Sequence, residues 1–212
     1  MSFPILKSNV QDLVDLSAIR KPNGKGGERW PEVFMQTFMR KVMRPLRVYS
    51  FEVCIEDIAH SLSQQCRYTG HTEPFYSVAT HSLIVASLLP DKCKLEGLLH
   101  DASECYLGDF HGPLKSQMYA YMQAEDIACK AIAGRFNLVY PWPEEVVRAD
   151  HYTFQLECAF TMGGALGRQW GVEDNGPLRR LVEEQIHIAA AEGMEYVEAS
   201  FLEAFQEMKR NW

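Results

Sequence analysis

The amino-acid sequence predicts an all-α protein, built as a compact helical bundle. Apolar residues recur at helical spacing through most of the chain from Ile55 onward. No strand-like pattern is longer than Leu46–Phe51, and glycine and proline clusters separate the periodic segments. The chain of 212 residues has a length that suits one domain. We therefore expect a single domain over residues 1–212, with a core over about 48–162, an extension over 1–46 and C-terminal helices over 164–212.

The composition narrows the class of protein and its expected location. The formal net charge is −7, which opposes binding to polyanions and argues against a nucleic-acid partner. No apolar run approaches the ~20 residues of a membrane span, and the N-terminus lacks the basic and apolar stretches of a secretory signal. We expect a cytoplasmic protein that contacts no membrane.

The cysteines are expected to be reduced thiols packed in the core. They are scattered without a CxxC pair, in a chain large enough to fold without disulfides. The six positions are Cys54, Cys66, Cys93, Cys105, Cys129 and Cys158.

The periodic segments predict a series of helices in the following order. A weak helical pattern over 1–20 and a Gly/Pro/Lys loop over 21–31 precede a helix from Ile55 to Cys66. The segment RYTGHTEP then breaks the periodicity and places Arg67 in a loop facing the next helix. The further expected helices run from near Ser77 to Leu89, from Lys92 to Tyr106, from Gln117 to Phe136, from Glu144 to Met162, and over 178–192 and 195–208, with a Gly/Pro-rich loop over 107–115.

One group of histidines and carboxylates on these helices indicates chemistry. His81 alone is weak evidence, because a single histidine on an apolar face is usually a core residue. His100 and Asp101 are stronger, because Glu104 and Asp109 follow within ten residues of a leucine-rich helix. Uncompensated carboxylates are costly to bury, and a divalent cation would supply the missing charge. The alternative is a solvated helix end capped by these acids.

A further carboxylate, Asp150 in VVRADHYTF, lies beside an apolar stripe. The ordered set of His81, His100-Asp101 and Asp150 resembles the H…HD…D signature of HD-domain metal-dependent phosphohydrolases. The segments IEDIAHSLSQQCRYTGHTEPFYSVATHS, LLHDASECYLGDFHGPLK and RAD are similar to small bacterial 5′-deoxynucleotidases and to phage relatives that hydrolyse deoxynucleoside triphosphates. This resemblance covers roughly residues 48–162.

The resemblance implies a role for each matching residue. His81, His100, Asp101 and Asp150 would hold one divalent transition-metal ion, which could be Co, Mn, Zn, Ni or Fe. Glu104 and Asp109 would manage the attacking water and proton transfers. Arg67 and Lys115 would bind phosphate oxygens, and Mg²⁺ could accompany a triphosphate. The partner would be a small-molecule deoxynucleotide, and the chain would form a homo-oligomer, a dimer or larger.

Other residues near this group have open interpretations. Tyr68 and Pro113 flank the phosphate-binding residues, so they either sandwich a nucleobase or pack the loops. Glu157, two turns after Asp150 on the same helix face, is either an acceptor behind a metal ligand or part of a buried ion pair. Arg148 is a candidate for an additional phosphate contact.

The resemblance leaves the reaction open between two bonds. The phage relatives release triphosphate from dATP, whereas the bacterial nucleotidases remove the phosphate of a deoxynucleoside monophosphate. The HGPLK loop at residues 111–115 is more similar to the phage branch and favours a dNTP triphosphohydrolase. The alternatives are a 5′-deoxynucleotidase and a non-catalytic regulatory HD module that binds a nucleotide and signals through a partner.

Overall fold

The computed structural model describes residues 34–162 and 176–210, and in these ranges the chain is mainly helical, as predicted. The predictions for residues 1–31 and for the glycine-rich stretch after Met162 lie outside the described residues. The α-helices are α1 Ile55–Gln64, α2 Val78–Ser87, α3 Lys94–Leu99, α4 Glu104–Leu107, α5 Gly112–Lys115, α6 Tyr119–Phe136, α7 Glu144–Thr161, α8 Pro177–Glu192 and α9 Met194–Arg210. None of the described helices is both long and apolar enough to cross a membrane.

A two-stranded hairpin precedes the first helix. Its strands, β1 Met35–Gln36 and β2 Val42–Met43, pair antiparallel. The backbone N–H of Met39 donates to Asp57 Oδ1 at 2.7 Å, which ties the hairpin to α1. Because Met43 is fully buried in the main core, part of the segment that we assigned to the N-terminal extension belongs to the packed unit.

The strand-like pattern of Leu46–Phe51 does not form a strand. The segment makes turns instead, closed by hydrogen bonds from the N–H of Arg47 to the carbonyl of Arg44 and from the N–H of Glu52 to the carbonyl of Tyr49. Proline at position 45 lacks the N–H that a strand ladder needs. Of its apolar side chains, Val48 is buried in the main core, whereas Leu46, Tyr49 and Phe51 are exposed.

The predicted continuous helix from Lys92 to Tyr106 is wrong, because the chain forms three short helical pieces. A 3₁₀ turn at Asp91–Cys93 leads into α3, and a turn over residues 100–103 separates α3 from α4. In that turn the N–H of Ala102 donates to the carbonyl of Leu99 and the N–H of Glu104 to that of Asp101, a tighter spacing than in an α-helix. His100 and Asp101 therefore lie at a bend.

Two other boundaries differ from the sequence prediction. Helix α1 ends at Gln64, because the next residues are extended and Cys66 forms an antiparallel bridge with Ser77. The side chain of Ser77 then accepts the N–H of Thr80 and begins α2. The predicted loop over 107–115 contains the short helix α5.

The main core combines the helices that carry the predicted site with the C-terminal helix. Val197, Phe201 and Phe205 of α9 are buried against residues of α1, α2 and α3. Thus, α9 is part of the main core, whereas Val182 and Ile186 of α8 are buried in a second cluster with Leu156 of α7. The cysteines in the described ranges are free thiols, but Cys54 and Cys66 are only half-buried, contrary to the expectation of six core positions.

The packing of α9 gives a first testable prediction. Phe201→Ala should lower the free energy of unfolding by about 3–5 kcal/mol, because it removes a fully buried aromatic side chain. Gln206→Ala, at an exposed position of the same helix, is the control and should change it by less than about 0.5 kcal/mol. Urea denaturation of both variants measures the difference, and equal losses would show that α9 does not stabilise the core.

Candidate functional site

Two buried histidines and one partly exposed aspartate from three helical segments converge at one place. His81 lies within α2, His100 follows α3, and Asp150 lies on α7. His81 Nε2 is 3.0 Å from Asp150 Oδ1, and His100 Nε2 is 3.7 Å from the same oxygen. One ligand atom of each residue lies within 4.8 Å of the other two, so this group could hold a metal ion.

Asp101 approaches the same group from the bend after α3. Its Oδ2 is 3.2 Å from His100 Nε2 and 3.7 Å from His81 Nε2. The structure therefore brings all four predicted ligand side chains to one place, with Asp101 contacting both imidazoles.

The nitrogen and oxygen atoms of this group are suitable ligands for a divalent transition-metal ion. His100 Nδ1 donates to the carbonyl of Gly97 at 2.8 Å, so its buried Nε2 is the atom available to bind a cation. Nε2 makes no hydrogen bond of acceptable geometry with the described residues. Imidazole nitrogens with carboxylate oxygens are a ligand set suited to Zn, Mn, Fe, Co or Ni.

The pKa values of the clustered histidines and aspartates are shifted in the directions that favour positive charge at this site. Burial opposes ionisation of Asp150, but the nearby imidazoles of His100 and His81 hold its pKa far below the usual range. Burial also lowers the pKa of His100, yet Asp101 and Asp150 outweigh it and leave that pKa well above the ordinary value. Either protons on the imidazoles or a bound cation can balance these carboxylates.

Glu157 is a site residue that the sequence prediction left unassigned. Its side chain is 0% exposed, and it lies two turns after Asp150 on α7. Its Oε1 accepts from Arg67 Nη2 at 2.6 Å, from Arg67 Nε at 3.1 Å and from the Tyr68 hydroxyl at 2.5 Å. Its Oε2 accepts from the Tyr76 hydroxyl at 2.6 Å and from His81 Nδ1 at 2.9 Å.

These contacts keep Glu157 ionised. Burial alone would raise its pKa, but the charge of Arg67 and the contact with His81 lower the pKa to about 2. Both interpretations given to Glu157 from the sequence hold, because it accepts from a candidate metal ligand and forms a buried ion pair with Arg67. Its position seven residues after Asp150 was the available sequence signal.

The two predicted proton-handling carboxylates lie next to the group. Burial raises the pKa of Glu104 well above its usual value, and the charges of Asp101 and Asp109 add to that shift. Burial likewise raises the pKa of Asp109. Glu104 Oε2 is buried and makes no hydrogen bond with the described residues. A carboxyl group with a raised pKa is suited to exchanging protons near neutral pH.

Gln65 holds the segment that carries these carboxylates, a role that no sequence pattern indicated. Its Nε2 donates to the carbonyl of Glu104 at 3.2 Å. Its Oε1 accepts the backbone N–H of Asp109, also at 3.2 Å. One amide side chain therefore fixes the backbone at both candidate catalytic residues.

The two predicted phosphate-binding side chains, Arg67 and Lys115, differ in how tightly the protein holds them. The Arg67 side chain is 11% exposed, and its Nη1 is 3.6 Å from Asp101 Oδ2. Lys115 forms an ion pair with Glu125 on α6 and is less enclosed than Arg67. Only Arg67 is thus fixed beside the metal-ligand group by two carboxylates.

Arg148 differs from these two cations in both exposure and partner. It is mainly exposed and lies 3.8 Å from Glu144 of its own helix. This ion pair is on the solvent side of α7, so the additional phosphate contact suggested from the sequence has no support from the described contacts.

The contact of Tyr68 and Pro113 with a nucleobase remains a prediction. The Tyr68 hydroxyl is bound to Glu157, and Pro113 is exposed in α5. Tyr68 and Thr69 both have left-handed backbone conformations, with φ of 53° and 56°. Such conformations cost roughly 1–2 kcal/mol for residues with a Cβ. The buried hydroxyl contact of Tyr68 helps to hold the chain in that conformation.

Comparison with known proteins identifies relatives of unknown activity. No family model matches the chain. The chain is 36% identical over 105 residues to an uncharacterized protein, YfdR of Escherichia coli K12, an alignment that covers 50% of this chain and 59% of that protein. It is 37% identical over 108 residues to an uncharacterized protein of Rhodobacter capsulatus, covering 46% and 55%. The chain spans less than two thirds of the length of either relative.

The converging ligands predict metal binding. The purified protein should contain one transition-metal ion per chain by elemental analysis, and His100→Ala should lose most of it. His151→Ala, at an exposed position next to Asp150, should keep it. Chelation should lower the Tm of the wild type by roughly 5–10 °C, since a ligand at 100 times its Kd adds ~2.7 kcal/mol and each kcal/mol shifts the Tm by ~2–4 °C. Equal metal content in both variants would place the ion elsewhere.

Proposed function

We propose that this chain is a metal-dependent phosphohydrolase of the HD type that acts on deoxynucleotides. The observation that carries the proposal is the convergence of His81, His100 and Asp150, with Asp101 in contact with both histidines. A purely structural cluster would have little need for Glu104 and Asp109, whose burial raises their pKa beside it. The resemblance of the ordered histidines and aspartates to HD-domain enzymes supports the same class.

Each group then has a defined part in hydrolysis. His81, His100, Asp101 and Asp150 would hold a divalent ion, which when bound supplies positive charge and lowers the pKa of water. Glu104, whose pKa is raised by burial, would accept a proton from the attacking water. Asp109, held by Gln65, would assist proton transfer to the leaving oxygen.

Arg67 and Lys115 would bind the phosphate oxygens. Arg67 is already oriented by Glu157 and keeps Nη1 on the side of Asp101, so it can contact an anion beside the metal ligands. Lys115 carries a compact charge on a flexible side chain and would have to exchange its partner Glu125 for a substrate oxygen. A local pair of cations permits anion binding on a protein whose net charge is −7.

Among deoxynucleotides, we propose a triphosphate, dATP in particular, with deoxynucleoside and inorganic triphosphate as products. Arg67 and Lys115 would offer two separate cationic contacts beside a metal group, and a triphosphate has enough oxygens to use both. The similarity of the HGPLK segment to the phage enzymes supports this choice. A 5′-deoxynucleotidase acting on monophosphates is the alternative that shares the same residues.

A substrate screen tests the proposed function. All dNMPs and dNTPs should be offered with several divalent metals, with orthophosphate measured by malachite green and triphosphate by chromatography. We expect turnover of dNTPs, and we expect Glu104→Ala to lower kcat by about 10²–10⁴-fold with unchanged metal content. Glu56→Ala, at an exposed position of α1, is the control. Higher kcat/KM on dNMPs would establish the nucleotidase instead, and turnover above half in Glu104→Ala would exclude the role given to Glu104.

The preference for a long phosphate chain can be tested through Lys115. Lys115→Ala should cost about 1.5–3 kcal/mol in kcat/KM on a triphosphate and much less on a monophosphate, because only the longer chain makes the contact fully. Lys130→Ala removes an exposed lysine that pairs with Asp126 on α6 and should leave both substrates unaffected. Equal losses on the two substrates for Lys115→Ala would argue for a monophosphate enzyme.

A further inference from the structure

Glu157 connects the candidate metal ligands to the candidate phosphate-binding arginine. One oxygen contacts His81 and the other contacts Arg67, and the carboxylate is fully buried between them. We propose that Glu157 is a positioning residue that fixes the tautomer of His81 and the orientation of Arg67 together. The proposal rests on the proposed function only in taking His81 as a metal ligand.

The tautomer of His81 follows from a count of donors. An ionised carboxylate can only accept hydrogen bonds, so each group that contacts Glu157 must donate. His81 Nδ1 therefore carries a proton in its 2.9 Å contact with Oε2. In a neutral imidazole, Nε2 then keeps a free lone pair, and Nε2 is the atom that points to Asp150 at 3.0 Å and to Asp101. The carboxylate thus prepares the nitrogen that a cation needs.

The same carboxylate restricts Arg67. Two of its nitrogens, Nε and Nη2, are bound to Oε1, which leaves Nη1 directed toward Asp101 at 3.6 Å. A guanidinium is planar, so fixing two nitrogens fixes the third. The positions of His81 and Arg67 are therefore not independent, although the residues lie on different segments of the chain.

Substitution by glutamine separates this role from simple packing. In Glu157→Gln, one carboxylate oxygen becomes an NH₂ group that donates. Arg67 has no acceptor atom and requires the remaining oxygen, whereas the hydroxyls of Tyr68 and Tyr76 and the ring nitrogen of His81 can all accept. The amide will therefore turn its NH₂ toward His81 and Tyr76. That orientation places the proton of His81 on Nε2 and removes a metal-binding lone pair.

The test measures zinc affinity by competition with a chromophoric chelator, on folded protein well below its Tm. We expect Glu157→Gln to weaken zinc binding about 10–100-fold, the range for loss of a partner that orients a ligating histidine. Tyr76→Phe is the matched control, because it removes one hydroxyl donor from the same buried carboxylate while leaving the contact with His81. It should keep zinc affinity within about threefold of the wild type.

A double variant distinguishes the tautomer from general damage to the fold. In Arg67→Met with Glu157→Gln, the arginine no longer requires the amide oxygen, which can turn to accept from His81 Nδ1. We expect zinc affinity to recover to within about threefold of the wild type. A purely structural role predicts that the double variant is weaker than the single one, and that result would overturn the proposal.

Two other results would also overturn it. These are wild-type affinity in folded Glu157→Gln and absence of zinc binding by the wild-type protein. No substrate enters the assay, so its outcome stands whether or not the protein hydrolyses deoxynucleotides.

Discussion

The burial of one ionised carboxylate, that of Glu157, is the constraint on which the rest of the site depends. Moving such a charge out of water costs several kcal/mol, and the cost is offset only by a complete set of donors. The donors come from the segment between α1 and α2 and from α2 itself. In the same segment, α1 has ended, Cys66 pairs with Ser77, and Tyr68 takes a left-handed conformation. The fold around the site is arranged to satisfy this group.

The charge balance around Glu157 explains why a cation suits the site. Five carboxylates lie in this part of the described structure, those of Asp101, Glu104, Asp109, Asp150 and Glu157. Arg67 offsets one of them, and the nearby Lys115 is paired with Glu125. Burial and neighbouring carboxylates raise the pKa of Glu104 and Asp109, and neighbouring carboxylates raise the pKa of both histidines although burial opposes this shift. A divalent ion would reduce the excess of negative charge and allow the histidines to be neutral ligands.

The sequence predicted the helices through local patterns and the candidate ligand group through the resemblance of its ordered residues to the HD-domain signature. Amphipathic spacing identified the segments that became α1, α2, α6 and α7, and the order of His81, His100 and Asp150 indicated their convergence. The bend at residues 100–103 was missed, since a leucine-rich run has the pattern of one helix whether its backbone hydrogen bonds span three residues or four. The contact between Arg67 and Glu157 joins residues 90 positions apart, and no local pattern specifies such a pairing. Gln65 was missed for the same reason, because its partner Asp109 is 44 positions away.

Arg67 and Lys115, the two candidate phosphate-binding residues, differ in how tightly the protein holds their side chains, which suggests different roles. Arg67 is held by Glu157 and Asp101 and is almost fully enclosed, so on the proposed function it would define where a phosphate lies. Lys115 has a flexible side chain and a single ion-pair partner, so it can exchange Glu125 for an oxygen farther along a phosphate chain. On the proposed function, the rigid cation positions the reacting phosphate beside the metal ligands, and the mobile cation responds to chain length. Selectivity between mono- and triphosphates would then depend on the lysine, whereas alignment for hydrolysis would depend on the buried glutamate behind the arginine.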